Sequence, residues 1–381
     1  MSMWISKARC ARCARCLVII TMLGIVGGRI QAGDHGGAAA PKISVFASGL
    51  NNPRGIKFGP GGYLYVAEGG VGGTNSTAGQ CDQVVAPVGP YTGGATGSRI
   101  SRFGRDGVGR TVADNLPSSQ TSPAVGGFVS GVADIAFVGH TLYAVLAGAG
   151  CSHGVRGIPN GVLRINDDGS ATQIANLSAF QQANPVAQPE ADDFEPDGTW
   201  YSMVDFGGAL YALEPNHGEL VKITRKGEVN RVIDISAHEG HVVPTALLEH
   251  GGKFYVGTLT AFPASPVAKV YRISRDGKIN VVAEGLTTVV GIAFHGDRLY
   301  VLEASAPVTS PGPPILPGTG RVVRVARSGA LEPVVTDLTF PTAMTFGPDH
   351  TLYISNFGFG FPPGSGQIVR AKLSHPERDA D

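Results

Sequence analysis

The chain has 381 residues, no formal net charge, 55 glycines and only 16% charged residues, against about 7% glycine and 25% charge in ordinary soluble proteins. Such a balance excludes the strong positive field that draws in nucleic acid or an anionic membrane. Glycine-rich, helix-poor composition points instead to an all-β chain with many tight turns, and 43% apolar residues are ample for a large core.

At the N-terminus, Lys7, Arg9, Arg12 and Arg15 precede the apolar run "LVIITMLGIVGG" (Leu17 to Gly28). That run is shorter than the ~20 residues a membrane span needs. Residues 1–32 therefore read as an export signal cut after Ala32, with an uncleaved anchor as the alternative. Residues 33–41 read as a linker. Cys10, Cys13 and Cys16 have metal-like Cys-x-x-Cys spacing, but they alternate with arginine inside the basic segment and leave with the signal. Cys81 and Cys151 remain, and an even pair in an exported chain suggests one disulfide.

From Gly49 the chain reads "GLNNPRGIKFGPGGYLYVAE", and from Leu338 it reads "LTFPTAMTFGPDHTLYISN". The same grammar returns between them. Leu64-Tyr65-Val66, Leu142-Tyr143-Ala144, Leu210-Tyr211-Ala212, Phe254-Tyr255-Val256, Leu299-Tyr300-Val301 and Leu352-Tyr353-Ile354 each follow a glycine turn and a small-apolar run. After each comes a variable loop, an alternating strand ending in a turn such as Asp-Gly or Ser-Gly, and a further strand. Four-stranded units repeating every ~40 to 50 residues are propeller blades. The expected fold is all-β, a six-bladed β-propeller with four antiparallel strands per blade over residues 42–373, followed by a C-terminal tail, 374–381. The last unit lacks a fourth strand, while "KISVFASGL" (Lys42 to Leu50) has the outer-strand pattern and no unit before it. The N-terminal strand should complete the last blade and close the ring.

Turns between first and second strands, and between third and fourth, are short throughout. The long insertions, Gly69 to Gly97, Gly148 to Asn160, Ala304 to Thr319, Phe357 to Ser365, Pro117 to Ser130 and Ser178 to Thr199, fall on the other face. Long loops on a rigid scaffold carry function, so this face around the channel is the expected binding face. Its candidate ligand-binding residues are Arg54, Glu68, Asp134, Glu214, His217, His241 and Glu303. Beside that stands a structural reading: an acid after the second strand caps backbone N–H groups, as for Glu68, Glu303 and Asn356, and His153, His217 and His241 are solvated loop residues. Cys81 and Cys151 lie in the long loops of adjacent blades and can meet as a disulfide. "EADDFEPDGTW" (Glu190 to Trp200) imitates the start of a calcium loop through Asp193, Glu195 and Asp197, but Val204 stands where a bidentate Glu is needed. An exposed acidic loop is the better reading, and no metal is assigned.

The stretches "SGLNNPRGIKFGPGGYLYVAEGGVGG", "EPNHGELVKI" and "VVPTALLEHGGKFYVGTLTAFP" resemble the ScyD/ScyE family of secreted propellers with NHL-like (TolB-like) repeats, over most of Ile43 to Leu373. That family is named for proteins encoded with the genes for scytonemin, an extracellular indole-derived sunscreen of cyanobacteria. The resemblance implies export, to the periplasm or outside the cell, and a six-bladed propeller; it supplies no catalytic residues. A binding propeller is thus the first functional reading. The alternatives are a metal-dependent hydrolase of the SMP-30/gluconolactonase type, which wants a channel carboxylate where Arg54 stands, and a quinone-dependent sugar dehydrogenase, which needs a His base and cations at the channel mouth. No nucleophile elbow, phosphate loop or His-Glu-x-x-His occurs. The sequence names no cofactor. The chain reads as a monomer whose partner is a small molecule or protein, with no nucleic acid and no membrane once the signal is cut.

Overall fold

The computed structural model describes residues 41 and 43–373, apart from 190, 192, 193, 260, 261 and 309–312. The expected signal, nearly all of the linker, the tail and the calcium-loop candidate Asp193 lie outside the described residues. Six antiparallel sheets form six blades. Their inner strands are Pro53–Phe58, Val132–Val138, Ser202–Phe206, Pro244–His250, Val289–His295 and Ala343–Phe346. Each touches the next, and the sixth touches the first, so the ring is closed. The clasp is the expected one. Ile43–Leu50 runs antiparallel outside Gly366–Ala371, from Ile43 opposite Ala371 to Leu50 opposite Gly366.

A blade alone leaves both faces wet; in the ring, each of the six gaps holds its own apolar cluster. The recurring tyrosine belongs to this packing. In four gaps it meets the phenylalanine that closes the next blade's inner strand. Centroid distances are 4.9 Å for Tyr65–Phe137 and Tyr255–Phe294, and 5.2 Å for Tyr300–Phe346 and Tyr353–Phe58, all edge to face. Edge-to-face pairs suit the ring quadrupole. The fourth blade's inner strand ends on Glu249 and His250 instead, and there Tyr211 meets Phe254 at 4.6 Å.

Four inner strands are preceded by a left-handed residue: Asn52 (φ 52°), Val243 (φ 47°), Thr288 (φ 34°) and Phe340 (φ 44°). The bend swings the chain from the rim of one blade to the channel of the next. Side chains other than glycine and asparagine rarely take it, so the ring, not local preference, holds it at three of the four.

Some segments read as loops are ordered elements. The first blade's third and fourth strands extend over Thr92–Phe103 and Gly109–Gln120 and carry the added pairs Asn75–Ser76 and Val129–Ser130. Among the described residues there are two short α-helices, Leu177–Ala183 and Ile235–Glu239, the second containing His238. Asn176 Oδ1 and Asp234 Oδ1 cap them by accepting from Ala179 N and Ala237 N. Two turns or fewer are too short to show a 3.6-residue period.

Candidate functional site at the channel mouth

The first residues of the inner strands build the channel mouth on the long-loop face. Small hydroxyls staple one blade to the next. Ser202 Oγ donates to Thr245 O at 2.6 Å, Thr245 Oγ1 to Val289 O, Thr342 Oγ1 to Pro53 O at 2.7 Å and Ser355 Oγ to Arg54 O at 2.8 Å. Tyr201, just before the third blade's inner strand, reaches across. Its hydroxyl donates to Thr342 O on the sixth, opposite blade at 3.4 Å, so its ring bridges the channel.

Arg54 stands beside it. Its Nη2 donates to Val129 O. Burial lowers its pKa, and the nearby Tyr201 acts weakly the other way. No carboxylate lies within ion-pair distance of it among the described residues. Asp134 does not serve Arg54: it accepts from Met203 N and Ile135 N at 2.9 Å each and pairs with Lys57 at 3.4 Å. Burial nonetheless raises its pKa against Lys57 and these N–H groups. Gly55 is obligatory at this crossing, because a Cβ there would lie 1.9 Å from Asp134 Oδ1.

A wall of half-buried phenylalanines joins the Phe357–Phe361 loop of the sixth blade to Phe128, the residue before the carbonyl that Arg54 holds. Phe340 stacks on Phe359 at 4.7 Å and 11°, Phe359 meets Phe128 at 5.7 Å, and Phe361 meets Phe357 at 4.9 Å. Phe357, like Phe340, is left-handed, with φ 54°. Sequence reasoning passed over Tyr201 and all five phenylalanines.

The acids after the second strands are wholly buried. Glu68 accepts from Asn51 N and Arg99 Nε at 2.7 Å each, Glu303 from Thr287 N at 2.6 Å and Arg321 Nε at 2.5 Å, and Glu214 from Thr199 N at 2.7 Å and His217 N at 2.5 Å. In Asn356 the amide oxygen takes Thr339 N at 2.8 Å. In all four, the N–H precedes the same blade's inner strand.

The solvated-histidine and exposed-acidic-loop readings are overturned for His153, His217, Glu195 and Asp197, each under 9% exposed. Glu195 accepts from Tyr91 OH at 2.7 Å and from Thr199 Oγ1, and it meets His153 Nε2 at 2.9 Å. Asp197 accepts from Ser152 N at 2.8 Å and Ser152 Oγ at 2.7 Å. These donors take the place of water, which lets the acids be buried. Ser119 Oγ lies 3.4 Å from His153 Nδ1, which completes a Ser–His–Glu arrangement. Ser119 and His153 have no exposed surface, so no substrate reaches them, and the trio locks loops together. Beside it, Cys81 and Cys151 are joined with an S–S distance of 2.06 Å.

His217 Nδ1 lies 3.3 Å from Glu214. Burial alone would lower the His217 pKa, but Glu214, with Glu219 and Glu195 beyond, raises it. Burial likewise works against Glu214, yet His217 and two backbone N–H groups hold its pKa below the usual range. Glu219, opposite Glu214 in the hairpin, is pushed up to about 7 by burial, only partly offset by Arg231. His241 is half-buried, in the loop before the fourth inner strand. Among the described residues, no group of three or more His, Cys, Asp or Glu is placed to hold a metal.

No protein-family model matches the chain, and neither does any curated protein sequence. Solved structures do. A structural genomics protein of unknown function from Bacteroides thetaiotaomicron superposes with a TM-score of 0.54 at 12% identity, over 88% of this chain and 76% of its own. A Thermus thermophilus protein named as an oxidoreductase of the glucose dehydrogenase type gives 0.51 at 15%, over 87% and 100%. A glucose dehydrogenase gives 0.50 at 14%, over 88% and 100%. The chain has the six-bladed propeller fold. Identities this low carry the fold alone.

Proposed function

We propose that the chain is an exported, monomeric binding propeller of the ScyD/ScyE kind, acting in the periplasm or outside the cell, and that it holds a small molecule or protein on the long-loop face. The observation that carries this reading is the floor and wall at the channel mouth. Tyr201 bars the channel through its bond to Thr342 O, two residues after Phe340 of the phenylalanine wall, and Arg54 bonds the carbonyl next to Phe128. The acids a catalyst would need there are spent: Glu68, Glu214 and Glu303 cap strands, and Asp134 bridges blades. A hydrolase of the gluconolactonase type needs carboxylates free for a metal, and Arg54 stands where one would be wanted.

The test is hydrogen exchange and a thermal melt on exported protein purified without chelator, with its metal content measured. The expected result is no stoichiometric metal, a Tm unmoved by EDTA, and protection confined to the long loops when a ligand binds. A tightly held metal with a Tm that drops in EDTA, or protection on the short-turn face, would refute the reading.

A further inference from the structure

We propose that the channel mouth takes an aromatic carboxylate, its anionic group on the Arg54 guanidinium and its flat apolar body against the phenylalanine wall. This deepens the binding reading above and rests on it. Arg54 is the anomaly that points to an anion. Three other half-buried arginines each grip a wholly buried glutamate: Arg99 with Glu68 at 2.7 Å, Arg231 with Glu219 at 2.6 Å and Arg321 with Glu303 at 2.5 Å. Arg54 has five N–H donors and spends one on a carbonyl, Val129 O. Its neighbour Lys57 is matched to Asp134. A guanidinium crowded by protein yet without a counter-charge among the described residues is costly to keep, and it presents a planar fork that fits a carboxylate. A phosphate dianion would call for more cations than this one.

The apolar half of the ligand follows from where that fork sits. The carbonyl that Arg54 holds belongs to the residue after Phe128, and Phe128 meets Phe359, which stacks on Phe340. Two residues after Phe340, Thr342 O takes the Tyr201 hydroxyl, and Thr342 Oγ1 reaches back to the residue before Arg54. Gly358 lies against the same corner, where a Cβ would come 2.3 Å from Thr342 Cγ2 and 2.8 Å from Pro53 O. Rings and fork therefore share one site. Phe340 and Phe357 hold left-handed backbone that bulky residues avoid. The fold fixes these rings half in and half out of water, as a flat ligand needs.

The probes are 2-naphthoate, 2-naphthylmethanol and acetate, titrated calorimetrically into the exported protein, with Tm recorded for every variant. The expected order has 2-naphthoate at least tenfold tighter than the alcohol, and acetate weakest. Arg54→Gln should drop the acid to the affinity of the alcohol and leave the alcohol unchanged. Arg54→Lys, which keeps the charge and loses the fork, should fall between and covers the case in which Arg54→Gln fails to fold. Phe359→Ser should weaken acid and alcohol alike. Equal binding of acid and alcohol, no binding of any probe, or an acid affinity that survives Arg54→Gln overturns the inference. If acid and alcohol bind equally yet hydrogen exchange protects the Phe357–Phe361 segment, the aromatic-carboxylate inference falls while the binding reading stands. Protection on the short-turn face sinks the binding reading as well.

Discussion

Replacing Arg54 by methionine should stabilise the protein. The guanidinium is crowded enough for burial to lower its pKa, and no carboxylate among the described residues answers it. Holding an ion in such a place costs several kcal/mol. The bond to Val129 O returns about 1.5–3 kcal/mol, as a hydrogen bond from a charged donor does. Methionine has similar reach, no charge and a flexible apolar stem that fills the space. The difference leaves Arg54→Met more stable by about 1–2 kcal/mol, roughly 1–3 °C in Tm for a domain of this size. Reversible urea unfolding at neutral pH measures it, with Lys57→Met as the contrast. That change strips Asp134 of its partner, and because Lys57 is 30% exposed the loss should be about 1–2 kcal/mol. If Arg54→Met instead lost more than about 1 kcal/mol, the guanidinium would be part of the scaffold, and the case for an awaited anion would fall.

Glu219 supplies a pH signature. Its folded value of about 7 lies above its ordinary 4.5, so the folded chain holds more protons between those values, and stability declines as pH rises through that window. His217, raised above its ordinary 6.5, loses its contribution in the same direction as pH climbs past its folded value, while the Glu214 contribution is already complete above 4.5. Urea midpoints should fall between pH 5 and 7.5, and Glu219→Gln should remove up to about 3 kcal/mol of that slope; an unchanged slope would refute the assignment. Truncating the clasp with Leu50→Ala, at a residue 1% exposed, should cost about 2–5 kcal/mol in the same assay, and a loss below 1 kcal/mol would mean the strand is not seated as described. Serine at both Cys81 and Cys151 opens a loop with a sequence separation of 70, for which chain entropy gives about 4 kcal/mol. A Tm equal to that of the parent under oxidising conditions would show the bond absent.

The scaffold was legible because its signals are local and repeated. A glycine turn followed by an apolar residue and tyrosine occurs once per blade, and the orphan strand before Leu50 had one place to go. The site was not legible, because its contacts are between loops and leave no pattern. Tyr91 meets Glu195 across 104 residues and Tyr201 meets Thr342 across 141. Reading His153 and Glu195 as solvated followed from polarity alone; what hid them from water was a set of neutral donors scattered over three blades. Arg54 could be placed at the head of a strand, but that no described carboxylate pairs with it shows only in three dimensions.

The clasp has a consequence for how the chain must be made. Ile43 pairs with Ala371, so the first strand to emerge waits for nearly the whole chain before its partner exists. Loop closure of that length is entropically slow. Until then, both Ile43–Leu50 and the Gly366–Ala371 edge of the last blade offer unpaired backbone, the kind of edge on which chains add to one another. A nascent or truncated chain is therefore a sticky open horseshoe, and a molecule that loses its first strand exposes that edge to its neighbours.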